Sequence, residues 1–242
     1  MSDERGNRVL DAAGELLVTF GYRKVTIADV ADRAGVGKGT VYLHWPSKLE
    51  LFGAVLVREG IAVGREHVAG LRADPGTVVL HRTLSTSFLT IMRRPLARAL
   101  YTGDAGLLGA LSADTKIGRS VVGGNAAYQP HHLGLLHRHG LLADDPATDP
   151  TLYYRLAAAT LGFFLGDELA GGAELAERAE ALGLVVRRAF EPAELPPPAA
   201  LAVAAAEVDA LYSGLLDEMG RSLPDSPSPT APSPTAPSPA AP

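Results

Sequence analysis

The chain has no cysteine in its 242 residues, which excludes structural disulfides, thiolate-bound zinc, iron–sulfur clusters and thiol catalysis and leaves histidine and carboxylate as metal ligands. That composition suits a reducing cytoplasm, where the protein is expected to work. Met1 to Arg8 carry two acids and two arginines without an apolar core, so no secretory leader is expected. Long apolar runs are scarce: the uncharged stretch between Arg155 and Asp167 has 11 residues, short of the roughly 18 that suggest a membrane span, and no membrane partner is expected. A basic excess is missing too, since 22 basic residues face 27 acidic ones for a formal charge of −5, which argues against a polycationic nucleic-acid coat. What is present, 47% hydrophobic and 20% charged residues, suits one or two globular domains.

One absence is local. No acid lies between Asp32 and Glu50, while Arg33, Lys38, Lys48 and His44 fall inside that window. Such an asymmetry suits a phosphate-facing surface, although a solvated face has the same signature. At the far end, the chain from Arg221 turns to Ser, Pro, Thr and Ala, with eight of its 18 prolines after position 223. A segment so poor in large apolar groups cannot build a core, and 221–242 is expected to be a disordered tail.

The rest predicts an all-α protein, because apolar residues recur at three- and four-residue spacing and alternating segments are scarce. Val9, Ala13, Leu16, Leu17 and Phe20 mark a first helix closed by Gly21. Thr26 caps a second, with Asp29 in its first turn and Ile27, Val30, Ala31 and Ala34 on its buried face. A third runs from about Gly37 to His44, and Pro46-Ser47 starts a long fourth toward His67. Asp74-Pro75 starts a helix to about Met92, Pro95 another, and Gly103 to Gly134 predicts broken helix. Leu152 to Glu168, with a stripe of Leu152, Leu156, Ala159 and Phe163, and Ala173 to Phe190, with Leu182, Val185 and Val186, suit an antiparallel hairpin. A final helix spans about Ala199 to Met219.

Val30, Ala31, Ala34, Gly35, Val36 and Val41 have helix-turn-helix spacing: Ala31 is small at the crossing, Gly35 suits a positive φ, and Val36 and Val41 fill the space between the helices. Any tight helical hairpin satisfies the same pattern. The flanks decide. Phe20-Gly21-Tyr22, Val25-Thr26-Ile27-Ala28-Asp29-Val30-Ala31, Ala34-Gly35-Val36-Gly37-Lys38-Gly39-Thr40-Val41-Tyr42 and His44-Trp45-Pro46-Ser47-Lys48-Leu49-Glu50-Leu51 resemble the N-terminal domain of the tetracycline-repressor (TetR) family of bacterial regulators, over roughly the first 60 residues.

The resemblance implies a three-helix DNA-binding domain (1–47), a helical ligand-binding and dimerisation domain (48–220), and a homodimer that represses from a pseudo-palindromic double-stranded DNA operator until a small-molecule effector releases it. It also implies that Leu152 to Phe190 closes the dimer and that Thr26 caps its helix against a phosphate. Three positions depart from the family pattern: Gly37 stands where Ser or Thr usually caps, Trp45 where Phe is common, and Leu43 where a polar residue is frequent. On a helical wheel with Val41 inward, Gly39 and Leu43 face outward toward the groove, flanked by Thr40 and Tyr42. Lys38 and Thr40 then reach base edges or phosphate, and Tyr42, His44 and Lys48 reach phosphate. Packing between helices is the competing role for Tyr42, and plain solvation for Lys48.

Other chemistry finds less support. Gly35-Val36-Gly37-Lys38-Gly39-Thr40 lacks the glycine spacing and the hydroxyl after lysine of a phosphate loop. His131, His132, His137 and His139 cluster, yet no pair lies at i,i+3 or i,i+4, so no metal is expected. No nucleophile motif or catalytic carboxylate pair can be argued, and neither an enzyme nor a cofactor is expected. The alternative is a helical ligand-binding or enzymatic bundle whose N-terminal hairpin is only structural. His67, His81, Phe88, Met92, Tyr101, Tyr128 and Phe163 are conceivable pocket residues within Ile61 to Phe164, each equally readable as core, and the effector-binding residues stay unassigned.

Overall fold

Local signals at the N-terminus become structure directly. In the computed structural model, which describes residues 2–112 and 129–223, α1 (Ser2–Phe20) buries Val9, Ala13 and Leu17 completely. It ends at Gly21 with φ 76°. Phe20, expected on the buried stripe, is 54% exposed: the periodicity continues to the last turn, but the described residues do not bury it there. Thr26 starts α2 (Ile27–Ala34) with a reciprocal capping box, its Oγ accepting from the Asp29 amide at 3.2 Å while the Asp29 carboxylate accepts from the Thr26 amide at 2.8 Å. The helix closes at Gly35, φ 66°, where the Val36 amide bonds to Ala31 O and the Gly35 amide to Asp32 O. This is a Schellman ending, and its left-handed residue favours glycine. Val41 is fully buried beneath α3 (Lys38–His44), and Ser47 caps α4 (Lys48–Ala73).

Helix α4 joins two cores. Leu51, Phe52, Val55 and Leu56 of its first turns pack with α1–α3, extending that cluster beyond position 47. Farther along, Ile61 and Val68 meet Leu216 of α11 (Pro198–Ser222). The larger core gathers Phe88 of α5 (Leu80–Met92), Leu133 and Leu136 of α8 (described over residues 129–138), Leu152 of α9 (Leu152–Leu165), and Leu182 and Val186 of α10 (Leu175–Phe190). Between α5 and α8 lie α6 (Pro95–Thr102) and the one-turn α7 (Ala105–Leu108). Among the described residues there is no strand.

Several expected bounds move. The helix expected from Asp74-Pro75 divides into a 3₁₀ turn, Pro75–Val78, and α5, because Val79 is extended at ψ 136°. Helix α9 stops at Leu165, before Gly166 and a 3₁₀ turn, and α10 begins at Leu175 behind a Glu174–Glu177 capping box. Val185 is exposed, not buried, and Phe163 is only half-buried whereas Phe164 is buried. Helix α9 is covered on two sides, and Phe164 faces the second, against Phe88 and Tyr101. Helix α10 touches α9 but packs mainly along α5, where Gly183 admits the Ser85 side chain and Ser85 Oγ donates to Ala179 O at 2.8 Å. The stretch Pro198–Arg221 of α11 is long and apolar enough to cross a membrane by composition, yet it lies along α4 with Ala204, Ala205 and Val208 in the core. Of the broken helix expected over 103–134, the described parts are α7, a 3₁₀ turn at Gly109–Ser112 and α8; residues 113–128, with Tyr128, and the tail from 224 lie outside the described residues.

Candidate nucleic-acid interface

Turning α3 about Val41 explains its outer surface. With Val41 fully buried, Leu43 is 73% and Tyr42 50% exposed, far above what a side chain packed between helices retains. Lys38 and Gly39 are exposed, and Thr40 and His44 are partly covered. Among the described residues, nothing beyond its chain neighbours and the helix's own backbone lies within 4 Å of where a Cβ on Gly39 would sit, so the backbone here is open to close approach. Helix α3 starts without a side-chain cap, as the glycine at position 37 implies. His44 lies against Trp45, ring centroids 5.3 Å apart, and Trp45 itself is buried.

Thr26, Lys38 and Lys48 share one side of the domain. The hydrogen bonds from Thr26 hold the exposed Asp29 carboxyl below its ordinary range, and Lys38 and Lys48 act on it in the same direction. Lys48 is neither freely solvated nor free to swing: its ammonium donates to Tyr22 O at 2.5 Å and lies 4.2 Å from the centre of the Tyr22 ring. Partial burial lowers its pKa, opposed by Asp29. Arg33, counted in the acid-free window, is spent on Glu15 at 2.6 Å. Conversely, Arg23 and Lys24 are exposed in the turn just before Thr26 and were not singled out; the adjacent pair of basic residues was the available signal. The structure thus gathers Thr26, Lys38, Gly39, Thr40, Tyr42, Leu43, His44 and Lys48 on α2–α4, with Lys48 tied to Tyr22.

A second feature lies in the larger core. A cavity of about 410 Å³ is walled by α4, α5, α6, α8, α9 and α11, within the usual range for small-molecule sites. Of the conceivable pocket residues His67 and Tyr101 line it, whereas His81, Phe88, Met92 and Phe163 do not. His81 instead bonds to the buried Glu191 carboxylate at 2.8 Å. The histidine cluster scatters: His132 faces the cavity, His139 meets Glu207 at 3.1 Å, and His137 lies 4.0 Å from Asp145. Among the described residues no three His, Asp or Glu side chains converge as a metal site.

Helix α6 touches both features. Its Ala97, Leu100 and Tyr101 wall the cavity, while Leu96 and Ala99 belong to the N-terminal core. Beyond it, Leu107 O accepts from the Tyr22 amide at 2.9 Å, beside the carbonyl that holds Lys48.

The family profile described as bacterial regulatory proteins, tetR family, matches residues 9–55. The transcriptional activator FasR of Mycolicibacterium smegmatis is 50% identical over 56 residues, 23% of this chain and 26% of that one. An uncharacterised helix-turn-helix regulator of Mycobacterium bovis is 41% identical over 117 residues, 44% of this chain and 61% of its own. The chain thus spans about a quarter and three fifths of these two relatives. A tetR-family regulator from Streptomyces coelicolor shares the fold, with a TM-score of 0.53 at 19% identity over 90% of this chain and 89% of that structure.

Proposed function

We propose that the chain, whose residues 9–55 match the tetR-family profile, is a regulator of that family: a cytoplasmic, ligand-responsive transcriptional repressor that binds a pseudo-palindromic operator as a homodimer. The observation that carries the reading is the division of α3, with Val41 buried and Gly39, Tyr42 and Leu43 turned outward. An apolar, hydroxylated surface with a lysine at its start fits a major groove: Leu43 meets a thymine methyl, Lys38 and Thr40 meet base edges or phosphate, and Thr26, Tyr42, His44 and Lys48 meet the backbone. In this division of labour 1–47 reads DNA, 48–220 senses and dimerises, and the segment expected as a tail from 221, whose first two residues close α11, serves beyond that helix as a spacer.

Helices α9 and α10 supply the dimer face. Tyr154, Leu161, Leu165, Leu184 and Val185 are all at least 40% exposed on them, an apolar surface that a second copy would cover. Two recognition helices must then stand about 34 to 36 Å apart to enter successive major grooves. An effector in the cavity acts through α6, whose opposite face is part of the N-terminal core, and shifts that spacing by as much as its affinities for the two forms differ.

Gel-shift titration of the DNA upstream of the protein's own gene, against a scrambled duplex over a salt series, tests the reading. Preference for the upstream DNA of at least about a thousandfold supports it, and equal binding to both duplexes overturns it. Transcription from that DNA should fall when the protein is added; a rise would make it an activator.

A further inference from the structure

The wall of the cavity carries little charge. Among the described residues lining it, Glu59 is the one formally charged side chain, and its carboxylate is already engaged by Arg94 at 3.3 Å. Besides Tyr101 on α6 and Tyr153 on α9, the other titratable groups lining it collect at the α4–α8–α11 end. There His67 and His132 flank Tyr212 with ring centroids 4.8 and 5.4 Å away, and Tyr212 Oη lies 3.4 Å from His132 Nδ1. Burial pushes both imidazoles down to about 4, His67 adding to the effect on His132, and burial pushes the Tyr212 phenol up. All three are neutral near pH 7. An ionised ligand entering here would lose its hydration without meeting a counter-charge.

The wall hydroxyls narrow the choice further. Thr83 Oγ donates to Thr77 O at 2.7 Å and Thr160 Oγ to Leu156 O at 2.8 Å. Each proton is spent on a backbone carbonyl, so toward the cavity these groups offer lone pairs. Around them the wall is aliphatic and aromatic, including Leu84, Ile91, Leu100, Phe164 and Leu215. At these two positions a ligand that donates a hydrogen bond is matched.

We propose that the cavity takes a neutral, largely apolar molecule whose polar group is a hydroxyl, and that it rejects carboxylates, phosphates and ammonium ions. The inference rests on reading this cavity as the effector site, but its chemistry can be tested without DNA. Calorimetric titration of the full chain at pH 7.5 with 1-decanol, decanoate and decylammonium, matched in chain length, compares the three head groups. Decanol should bind at least about tenfold more tightly than either ion. Ala157→Phe narrows the cavity from α9 and should abolish decanol binding; Leu84→Phe, from α5, serves the same purpose if the first variant does not fold. Thr160→Val should weaken decanol about threefold. Equal or tighter binding of either ion, decanol binding unchanged in the filled variant, or no binding of any probe overturns the proposal. Decanol that binds yet leaves an operator complex intact would instead count against the effector reading, and the cavity chemistry would stand.

Discussion

The N-terminal head, proposed to face DNA, and the cavity are built on opposite principles. In the head, most candidate positions follow from neighbours a few residues away: Thr26 and Asp29 cap one another, Gly35 turns the chain, and Val41 fixes which way Leu43 faces. The cavity is assembled from six helices whose lining residues run from Glu59 to Met219. A locally specified surface tolerates outward substitutions one at a time, whereas a wall shared by many helices couples each substitution to the packing of the whole bundle.

The largest expected effect tests whether the bundle also closes the dimer. Phe163 packs partly against the core, so charging it would disturb the fold as well as any interface. Leu165, 55% exposed, is the cleaner position. Leu165→Glu would bury an unpaired carboxylate between two copies, costing on the order of 3 kcal/mol or more. Self-association should weaken more than about a hundredfold, with the melting temperature little changed. Sedimentation at micromolar concentration checks this, and a variant that stays dimeric moves the interface away from α9.

Next in size is an acid-side loss of stability seated in the bundle. His67 and His132 titrate near 4 in the native chain against 6.5 when unfolded. As pH falls below 6.5 the unfolded chain takes up protons that the native one refuses, so stability drops between pH 6.5 and 4 and levels off below. Each imidazole should cost on the order of 2 kcal/mol by pH 5. His67→Phe keeps a ring against Tyr212 and should remove about half of that loss in urea titrations at pH 7 and 5. An unchanged pH dependence would show that His67 is solvated.

These two regions also differed in how far they could be read in advance. The caps, the turn and the outward rotation of α3 were legible because each depends on backbone geometry and side chains within one or two turns. Even there, the partner of Lys48 was not: Tyr22 lies 26 positions earlier, and only folding brings its carbonyl under the ammonium. In the bundle, helical periodicity found the α9 stripe but not Phe164, because a single stripe assumes a single buried face. His132 stood out as part of a histidine cluster, yet its place beside Tyr212 depends on a contact across 80 positions. Tyr212 itself belongs to an alanine-rich helix with no local signal for a cavity wall.

Smaller effects should separate reading from anchoring within the head. Leu43→Ala should weaken operator binding by about 1 kcal/mol at one symmetric base-pair position, leave scrambled DNA nearly unaffected, and leave stability unchanged because the side chain is exposed. Lys48→Ala should weaken both duplexes alike and lower the salt slope by about one. Unlike Leu43→Ala, it should also cost about 1 kcal/mol of stability, through the lost bond to Tyr22 O and the lost contact with its ring. Paired binding and urea titrations distinguish the two. If Leu43→Ala weakens both duplexes equally, the thymine contact is wrong; if Lys48→Ala changes stability alone, the lysine is a strut.

The smallest expected effect concerns the ends of neighbouring helices. Helix α2 has a complete capping box, whereas α3 begins at Gly37 without a side-chain bond. Gly37 sits at φ −72° and ψ 147°, a conformation open to any residue, and a Cβ there would meet nothing closer than Thr40 Oγ at 4.0 Å. Serine therefore fits, and its hydroxyl can accept from the amides of the first turn. Gly37→Ser should stabilise the protein by a few tenths of a kcal/mol, a rise of about 1 °C in Tm for a chain of this size. Thr26→Ala, which removes an existing cap, should cost about 1 kcal/mol. Scanning calorimetry on the two variants compares the caps directly. A Gly37→Ser variant that gains stability but binds the operator less tightly would mean that the bare amides at the start of α3 are used by a DNA phosphate, and position 37 would join the interface; unchanged binding would leave the glycine as an uncapped helix start with no role in reading.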